Sequence, residues 1–525
     1  MDKKQFISAL FAIVLFILFT GAYQLQATNI KINKDASITD VNATDKTANI
    51  SFDISWENSW RTSTNEANYD AAWIFVKYKA KLGTEWKHVY INTDVKDYSA
   101  TNDNGVTPAF SVGTTDKKGM GVFAYRQKDG NGSINWSGVK LKFNYDANGI
   151  QDINDYVFKV YAIEMVYVPK GAFKLGSGGN EACAFYTYPK TTQPFDVNSE
   201  AAITVGKKDG NLCYAKHFYC DQFFGTIPNE FPKGYNAFWC MKYEITQGQY
   251  VDFLNSLTRQ QQEQRVWSGI AETNVVNRYV MTNSPTMQFR NGICCDATIS
   301  ATDPVTFYCD LNGNGIPNES SDGQNIACNF ISWADGASFT DWAGLRPMTE
   351  LEYEKACRGT RTPVANEYAW GTTKLINTTS ISNGGTITEL PSNADANVIY
   401  CEKTADMLSP VRAGFFEKKN GTNEQNGYSF YCISDLSGNL FERCVSVSNK
   451  DGVLFKGSHG DGKLDEAGNA TNTDWPGVKG VGAGFRGGSF YYASSYCRVS
   501  DRQYAGLGDW QRYNHYGYRA VRSAE

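Results

Sequence analysis

The chain has 525 residues, enough for two or three domains with sizeable cores. Lys and Arg total 50 against 55 Asp and Glu, a net charge of −5 with both signs interspersed. That balance gives no basic footprint and excludes nucleic acid as the expected partner.

Lys3 and Lys4 precede a largely apolar run from Phe6 to Phe19, and Leu25-Gln26-Ala27 closes it with a small residue. This is the pattern of a secretory signal peptide over residues 1–27. The run is short for a membrane span, no cysteine follows at once to carry a lipid, and no second hydrophobic segment appears. The mature chain, from about Thr28, is therefore expected outside the cytoplasm (secreted, periplasmic or at the cell surface) with no membrane span after cleavage.

Residues 28–160 read as an all-β domain. Ile50, Phe52, Ile54 and Trp56 alternate with polar residues, and Trp73 to Tyr78 and His88 to Ile91 are further short strands bounded by Asn, Asp and Gly. A β-sandwich is the simplest architecture, with its aromatic residues in the core.

All thirteen cysteines lie between Cys183 and Cys497. Export permits disulfides, an odd number leaves at least one thiol unpaired, and connectivity cannot be read from spacing. Cys294, Cys295, Cys309 and Cys328 are expected to staple one long insertion.

A second domain, 161–525, shows three helix starts. Thr246 with Gln249, Ser332 with Asp335 and Thr349 with Glu352 have capping-box spacing, and the last two helices should end near Gly344 and at Gly359. Asp310-Leu311-Asn312-Gly313-Asn314-Gly315 places oxygen ligands at alternate positions, with a glycine at the sharp turn, as in EF-hand and related calcium loops. Its twelfth position is Ser321, and Asp322 follows one residue later; a plain Asn-Gly turn is the competing reading. The four histidines, His88, His217, His459 and His515, show no paired metal-ligand spacing.

From Phe490 to Tyr518, nine of 29 residues are Phe, Tyr or Trp, against 14% in the whole chain. Rigid aromatics among adaptable polar groups suit recognition. Tyr491, Tyr492, Tyr504, Trp510, Tyr513, Asn514, His515 and Tyr516 are the expected contacts.

Met165-Val166-Tyr167-Val168-Pro169 with Gly171 to Gly176, then Met241 to Thr246, Trp342 to Glu354, Tyr368-Ala369-Trp370-Gly371, Pro410-Val411, Asp435 to Glu442 and Arg486-Gly487-Gly488-Ser489 through Gly517-Tyr518-Arg519 keep one order. Together they resemble the formylglycine-generating enzyme (sulfatase-modifying factor) family over about 161 to 525. Three insertions separate them, near 178–235, 259–328 and 372–408. The middle one shows no period and is assigned no structure.

The resemblance implies an α+β, C-type-lectin-like (formylglycine-generating-enzyme-like) domain behind the all-β sandwich domain. It further implies calcium on Asp435, Gly438, Leu440 and Glu442, and a second, weaker calcium set on Asn397, Val398, Asp406 and Leu408. In the family's enzymes two cysteines of the last segment hold copper. Here one aligns with Cys497, while Tyr492 stands where the other should be. One thiolate and a phenol make a poor copper(I) seat, so copper is not expected and Cys497 is catalytic only if an oxidase activity survives. The closing pattern also resembles the variable proteins of diversity-generating retroelements, which display a ligand surface on this fold.

The expectation is thus an exported bacterial protein, non-catalytic, that binds an extracellular or periplasmic protein or glycan through its aromatic C-terminal surface. A copper-dependent formylglycine-generating oxidase acting on sulfatase cysteines is the alternative, and a structural part of a cell-surface assembly is the third.

Overall fold

The computed structural model describes residues 30–402, 409–418 and 420–525. The signal-peptide segment 1–27, and Asp406 and Leu408 of the second calcium set, lie outside the described residues. The described chain is predominantly β with five short α-helices, and no helix in it is long and apolar enough to cross a membrane.

The alternation at Ile50, Phe52, Ile54 and Trp56 becomes the strand Thr47–Arg61, with those four side chains inward. It lies in a four-stranded antiparallel sheet in the order Lys31–Asn42, Thr47–Arg61, Gly130–Asn144, Tyr98–Asn102. That sheet faces a second one across an apolar layer that includes Trp56 and Trp136, whose rings meet edge to face at 5.3 Å. Strand Asp70–Ala80 in the second sheet is buried over nearly all its length because its two faces serve different cores. Ala72, Ile74 and Val76 point to the front layer, while Ala71, Trp73 and Phe75 point to the rear.

The second sheet has eight strands and unites the two halves of the chain. Strand Tyr156–Val168 pairs along Asp70–Ala80 on one edge and with Phe238–Met241 on the other, after which Ala520–Ser523 and Arg346–Pro347 continue the sheet. The boundary drawn between residues 160 and 161 therefore falls inside one continuous strand. Side chains reinforce the join: Trp73 Nε1 donates to the Ala343 carbonyl and Asn68 Nδ2 to that of Tyr431, both at 2.8 Å.

All three expected capping boxes form, at the heads of helices Gln247–Leu254, Trp333–Trp342 and Glu350–Arg358, and Gly359 caps the last. Gly336, within the second of these, lies against the Tyr518 ring, where an added Cβ would sit 1.9 Å from a ring carbon. The insertion assigned no structure contains a helix, Arg259–Arg265, and a ribbon of Ile293–Cys295 with Phe307–Cys309. That helix is polar all round and the strands are three residues long, so neither could show a period. The cysteine staples are corrected too: Cys294, Cys295, Cys309 and Cys328 all carry free thiols. Adjacent Cys294 and Cys295 alternate to opposite faces of the ribbon, so Cys294 packs in a different cluster from Cys295, Cys309 and Cys328.

Helix Glu350–Arg358 reads like a surface helix, yet every residue in it is buried. Its glutamates receive arginines. Glu350 accepts from Arg502 at 2.7 and 2.8 Å and from Arg486 at 3.0 Å. Glu354 accepts from Arg486 at 2.9 Å and from Arg358 at 3.0 Å, Glu352 pairs with Arg346, and Arg358 reaches on to Glu367. Burial alone would raise the Glu350 and Glu354 carboxyls. Arg502 and Arg486 acting on Glu350, and Arg358 and Arg486 acting on Glu354, more than offset it and hold both below the ordinary 4.5.

Replacing Glu350 with Ala strands the buried Arg502 guanidinium and leaves Arg486 with Glu354 alone, and should cost about 3–5 kcal/mol in urea unfolding. The pH dependence has a definite sign. Both carboxyls have folded pKa values below their unfolded ones, so their stabilisation is complete above pH 4.5 and is lost as pH falls through the folded values. Denaturation midpoints measured from pH 7 to 3 should fall steeply below that point in the wild type and less steeply in Glu350→Gln.

Candidate functional site

Four arginines pin the C-terminal segment to buried carboxylates. Arg486 and Arg502 hold Glu350, Arg512 holds Asp335 through bonds of 2.6 and 2.7 Å, and Arg519 holds Glu442 at 2.8 Å. The aromatic residues lie on the stretches between these anchors, so their backbone is fixed without using their side chains.

The structure sorts the expected contacts into two groups. Trp510, Tyr513 and Tyr491 are exposed, at 61%, 47% and 45% of their surfaces. Tyr492 and Tyr504 are half-buried over the cluster Phe441, Phe485 and Tyr516. His515 and Tyr516 are interior, a correction to the contact set. Tyr516 belongs to a short strand beside Phe441–Val445, stacks on Phe485 at 4.2 Å and donates its hydroxyl to Asp509 at 2.9 Å. His515 stacks with Tyr491 at 5.2 Å and Tyr513 at 5.7 Å, and half-buried Asn514 lies 2.8 Å from its Nδ1. The imidazole thus supports the two exposed tyrosines from within.

Trp510 opens onto a cleft of 560 Å³ that is also lined by Trp267, exposed over 48% of its surface. Gln264, Asn469 and Gln511 supply amides, and Arg265 and Arg512 form part of the lining. Both arginines are engaged: they share the Asp335 carboxylate, and Arg265 also donates to Asn469 at 3.0 Å. The cleft therefore offers indole faces, amides and the exposed Lys479 ammonium. Trp267 leads on to Phe330 at 6.5 Å, and the Phe330 N–H bonds the Tyr513 carbonyl at 3.1 Å, which connects the cleft wall to the tyrosine face.

Sequence reasoning missed Trp267, which lies in the insertion assigned no structure. The available signal was a single large apolar residue after the polar segment Arg259–Arg265.

Cys497 is fully buried. Its thiol is pushed up by burial and then by Asp501, and Gly488 packs so closely that an added Cβ there would meet Sγ at 2.6 Å. Tyr492 fills the other position with a ring 5.1 Å from both Phe441 and Tyr496. Cys401, from the 372–408 insertion, donates its N–H to the Tyr492 carbonyl at 2.9 Å.

Asp435 and Glu442 are buried with Glu244 between helix and sheet. Glu442 gives one oxygen to Arg519, and Glu244 accepts from the Leu440 N–H at 2.9 Å. Asp435 Oδ2 and Glu442 Oε2 have no hydrogen-bond partner. Burial pushes Asp435 up to about 7 and raises Glu244 and Glu442 as well. Asp435 and Gly438 both have left-handed backbones, with φ of 60° and 93°, which turn this segment sharply. At the second set, the Asn397 amide oxygen accepts from Ile376 N–H at 2.9 Å and the Val398 carbonyl from Thr378 N–H at 3.1 Å, so both oxygens hold the insertion together. Asp310, Asn312 and Asn314 share one loop, distant in sequence from either set. Among the described residues, no three His, Cys, Asp or Glu side chains form a metal-holding group.

Residues 158–524 match the family described as Sulfatase-modifying factor enzyme 1-like domain. No curated protein matches the chain. Among solved structures, variable protein 1 of Treponema denticola aligns at 12% identity and a TM-score of 0.30, over 69% of this chain and 96% of its own.

Burial first and then the Arg443 charge push His515 down to about 3. Its ring should stay neutral, so side-chain NMR of the four histidines, with His515→Asn for assignment, should show no His515 titration between pH 8 and 5. Because its folded pKa lies below the unfolded 6.5, the stability it preserves is complete above 6.5 and is lost as pH falls from there toward 3.

Proposed function

From the premise that this chain belongs to the sulfatase-modifying factor family, we propose that it is an exported, non-catalytic binding protein that recognises a glycan, or a glycan-bearing protein, through its aromatic C-terminal face. In this reading residues 161–525 form a C-type-lectin-like domain and residues 28–160 a β-sandwich domain, for which the two facing sheets are the support. The carrying observation is the Trp267–Trp510 cleft. Two exposed indoles and Lys479 line it together with amide donors and acceptors, and the two guanidinium groups are both engaged with Asp335. Such a surface offers stacking area and directional hydrogen bonds to a polyhydroxylated ligand.

The family's oxidation chemistry fits these residues poorly. A phenol replaces one of the two soft ligands, and the remaining thiol is closed in by Gly488 and its surroundings. One observation favours a second reading: Cys401 lies along the Tyr492 backbone and could supply a thiolate.

The Asp435 to Glu442 segment fits calcium. Two buried carboxylate oxygens lack partners, and a divalent ion would offset the burial that raises Glu244, Asp435 and Glu442. Asp435, Glu442 and the Gly438 and Leu440 carbonyls would hold it, and it would act as a cross-link within the fold.

Trp510→Ala and Trp267→Ala each remove an exposed side chain and should change stability by no more than about 0.5 kcal/mol. On a glycan array each should weaken wild-type binding at least about tenfold, as loss of a contact worth about 1.4 kcal/mol would; no glycan bound by the wild type, or binding unchanged in both variants, would sink the glycan reading. Incubation with copper(I), oxygen and a cysteine-containing sulfatase peptide should leave the peptide unchanged by mass. Conversion that disappears in Cys497→Ser and Cys401→Ser would establish the oxidase instead. Calcium at a hundredfold excess over its Kd should add about 2.7 kcal/mol of stability, a gain reduced in Asp435→Asn when thermal midpoints are compared with and without chelator.

A further inference from the structure

The loop from Asp310 to Asp322 belongs neither to the aromatic face nor to the Asp435 segment. It follows strand Phe307–Cys309 in the middle insertion and is closed at its neck by reciprocal bonds between Cys309 and Asn318, each 3.0 Å. Asp310 Oδ2 accepts the Gly315 N–H at 3.1 Å, which folds the carboxylate across the turn. The Asn312 and Asn314 amide oxygens accept the N–H groups of Asn314 and Ile316, at 2.9 and 2.8 Å. Gly315 turns the chain with φ of 80°.

The second observation lies in the two aspartates that bracket the loop. Asp310 is 3% exposed and Asp322 is 0% exposed, and in each the Oδ1 oxygen has no hydrogen-bond partner. The other oxygen of each is used: Asp310 Oδ2 by Gly315, and Asp322 Oδ2 by the Glu319 N–H at 2.7 Å. Burial, together with the Asp310 and Glu319 charges, raises the Asp322 carboxyl, so the neighbours acting on it include two further acidic groups. A buried carboxylate oxygen without a donor costs on the order of 1–3 kcal/mol or more, and two of them bracketing one loop call for a shared cation.

We propose that Asp310, Asn312, Asn314, the Ile316 carbonyl and Asp322 bind one calcium ion. The first four occupy positions 1, 3, 5 and 7 of the alternating pattern, and glycine stands at position 6. Asp322 replaces the carboxylate normally expected one residue earlier, where Ser321 instead accepts from the Asn312 amide at 3.1 Å. Oxygen-only ligands with several neutral amides and carbonyls select a hard cation over a thiophilic one. With two carboxylates the charge is low, which places the affinity among extracellular modules, at a Kd of about 10⁻⁴–10⁻³ M.

The ion would rigidify a junction. Directly after Asp322, the Gly323 N–H bonds the Gly385 carbonyl of the third insertion at 3.0 Å, and Gln324 accepts the Gly248 N–H at 2.8 Å from the helix Gln247–Leu254.

The test is calcium titration calorimetry on the full chain after chelator treatment, with terbium luminescence as a second readout. Tyr279 is a built-in sensitiser, since its hydroxyl donates to the Asp310 carbonyl at 3.2 Å. Asp310→Asn should eliminate one calcium equivalent or weaken it at least about tenfold, the effect of losing about 1.4 kcal/mol, and should reduce the terbium emission. Asn314→Ala alters only an exposed side chain, keeps the protein folded and should weaken the same equivalent. Asp435→Asn should leave this equivalent intact, which separates it from the other carboxylate site. Calcium and terbium titrations of Asp310→Asn and Asn314→Ala that superimpose on wild type would overturn the proposal.

Discussion

The rest of the structure hangs on a set of buried arginine–carboxylate pairs. Helix Glu350–Arg358 presents its glutamates inward, and arginines from segments more than a hundred residues later in the chain close on them. A loop-rich domain has few long strands to locate its backbone. Here ion pairs at Arg486, Arg502, Arg512 and Arg519 do that work, bidentate at Arg502 and Arg512 and bridging two glutamates at Arg486, each fixing a loop at one point. Desolvation makes such pairs poor sources of net stability but severe to break, which suits them to specifying one arrangement of otherwise irregular chain.

This division of labour frees the aromatic side chains between the anchors. Trp510, Tyr513 and Tyr491 face solvent because their backbone is held from beneath by arginines and by the neutral His515 ring. The same packing closes the Cys497 pocket. Aromatic rings and Gly488 occupy the space around the thiol and around Tyr492, and the open surface lies at the cleft lined by Trp267 and Trp510.

Much of the secondary structure was legible because its physics is local. Alternation over Ile50 to Trp56 reports a strand with one buried face, and capping boxes at Thr246, Ser332 and Thr349 report helix starts from neighbours three residues apart. The site was legible only in part. That the C-terminal segment is aromatic can be counted; that Tyr516 turns inward while Tyr513 turns outward depends on the short strand beside Phe441, which no local pattern encodes. Trp267 joins Trp510 only through the tertiary fold, across more than two hundred residues of chain. The Glu350 helix misleads for the same reason: its charges look solvent-facing until their arginine partners, far along the chain, are known.

The strand Tyr156–Val168 carries a mechanical consequence. It is hydrogen-bonded to the front half on one edge and to the rear half on the other, so no linker between them can act as a hinge. A row of backbone bonds joins the front sheets directly to the rear. The aromatic face is thus presented like a tool on a fixed shank: under the proposed binding role, a ligand would meet one pose, and its capture would spend none of its free energy on halting the swing of one half of the protein against the other.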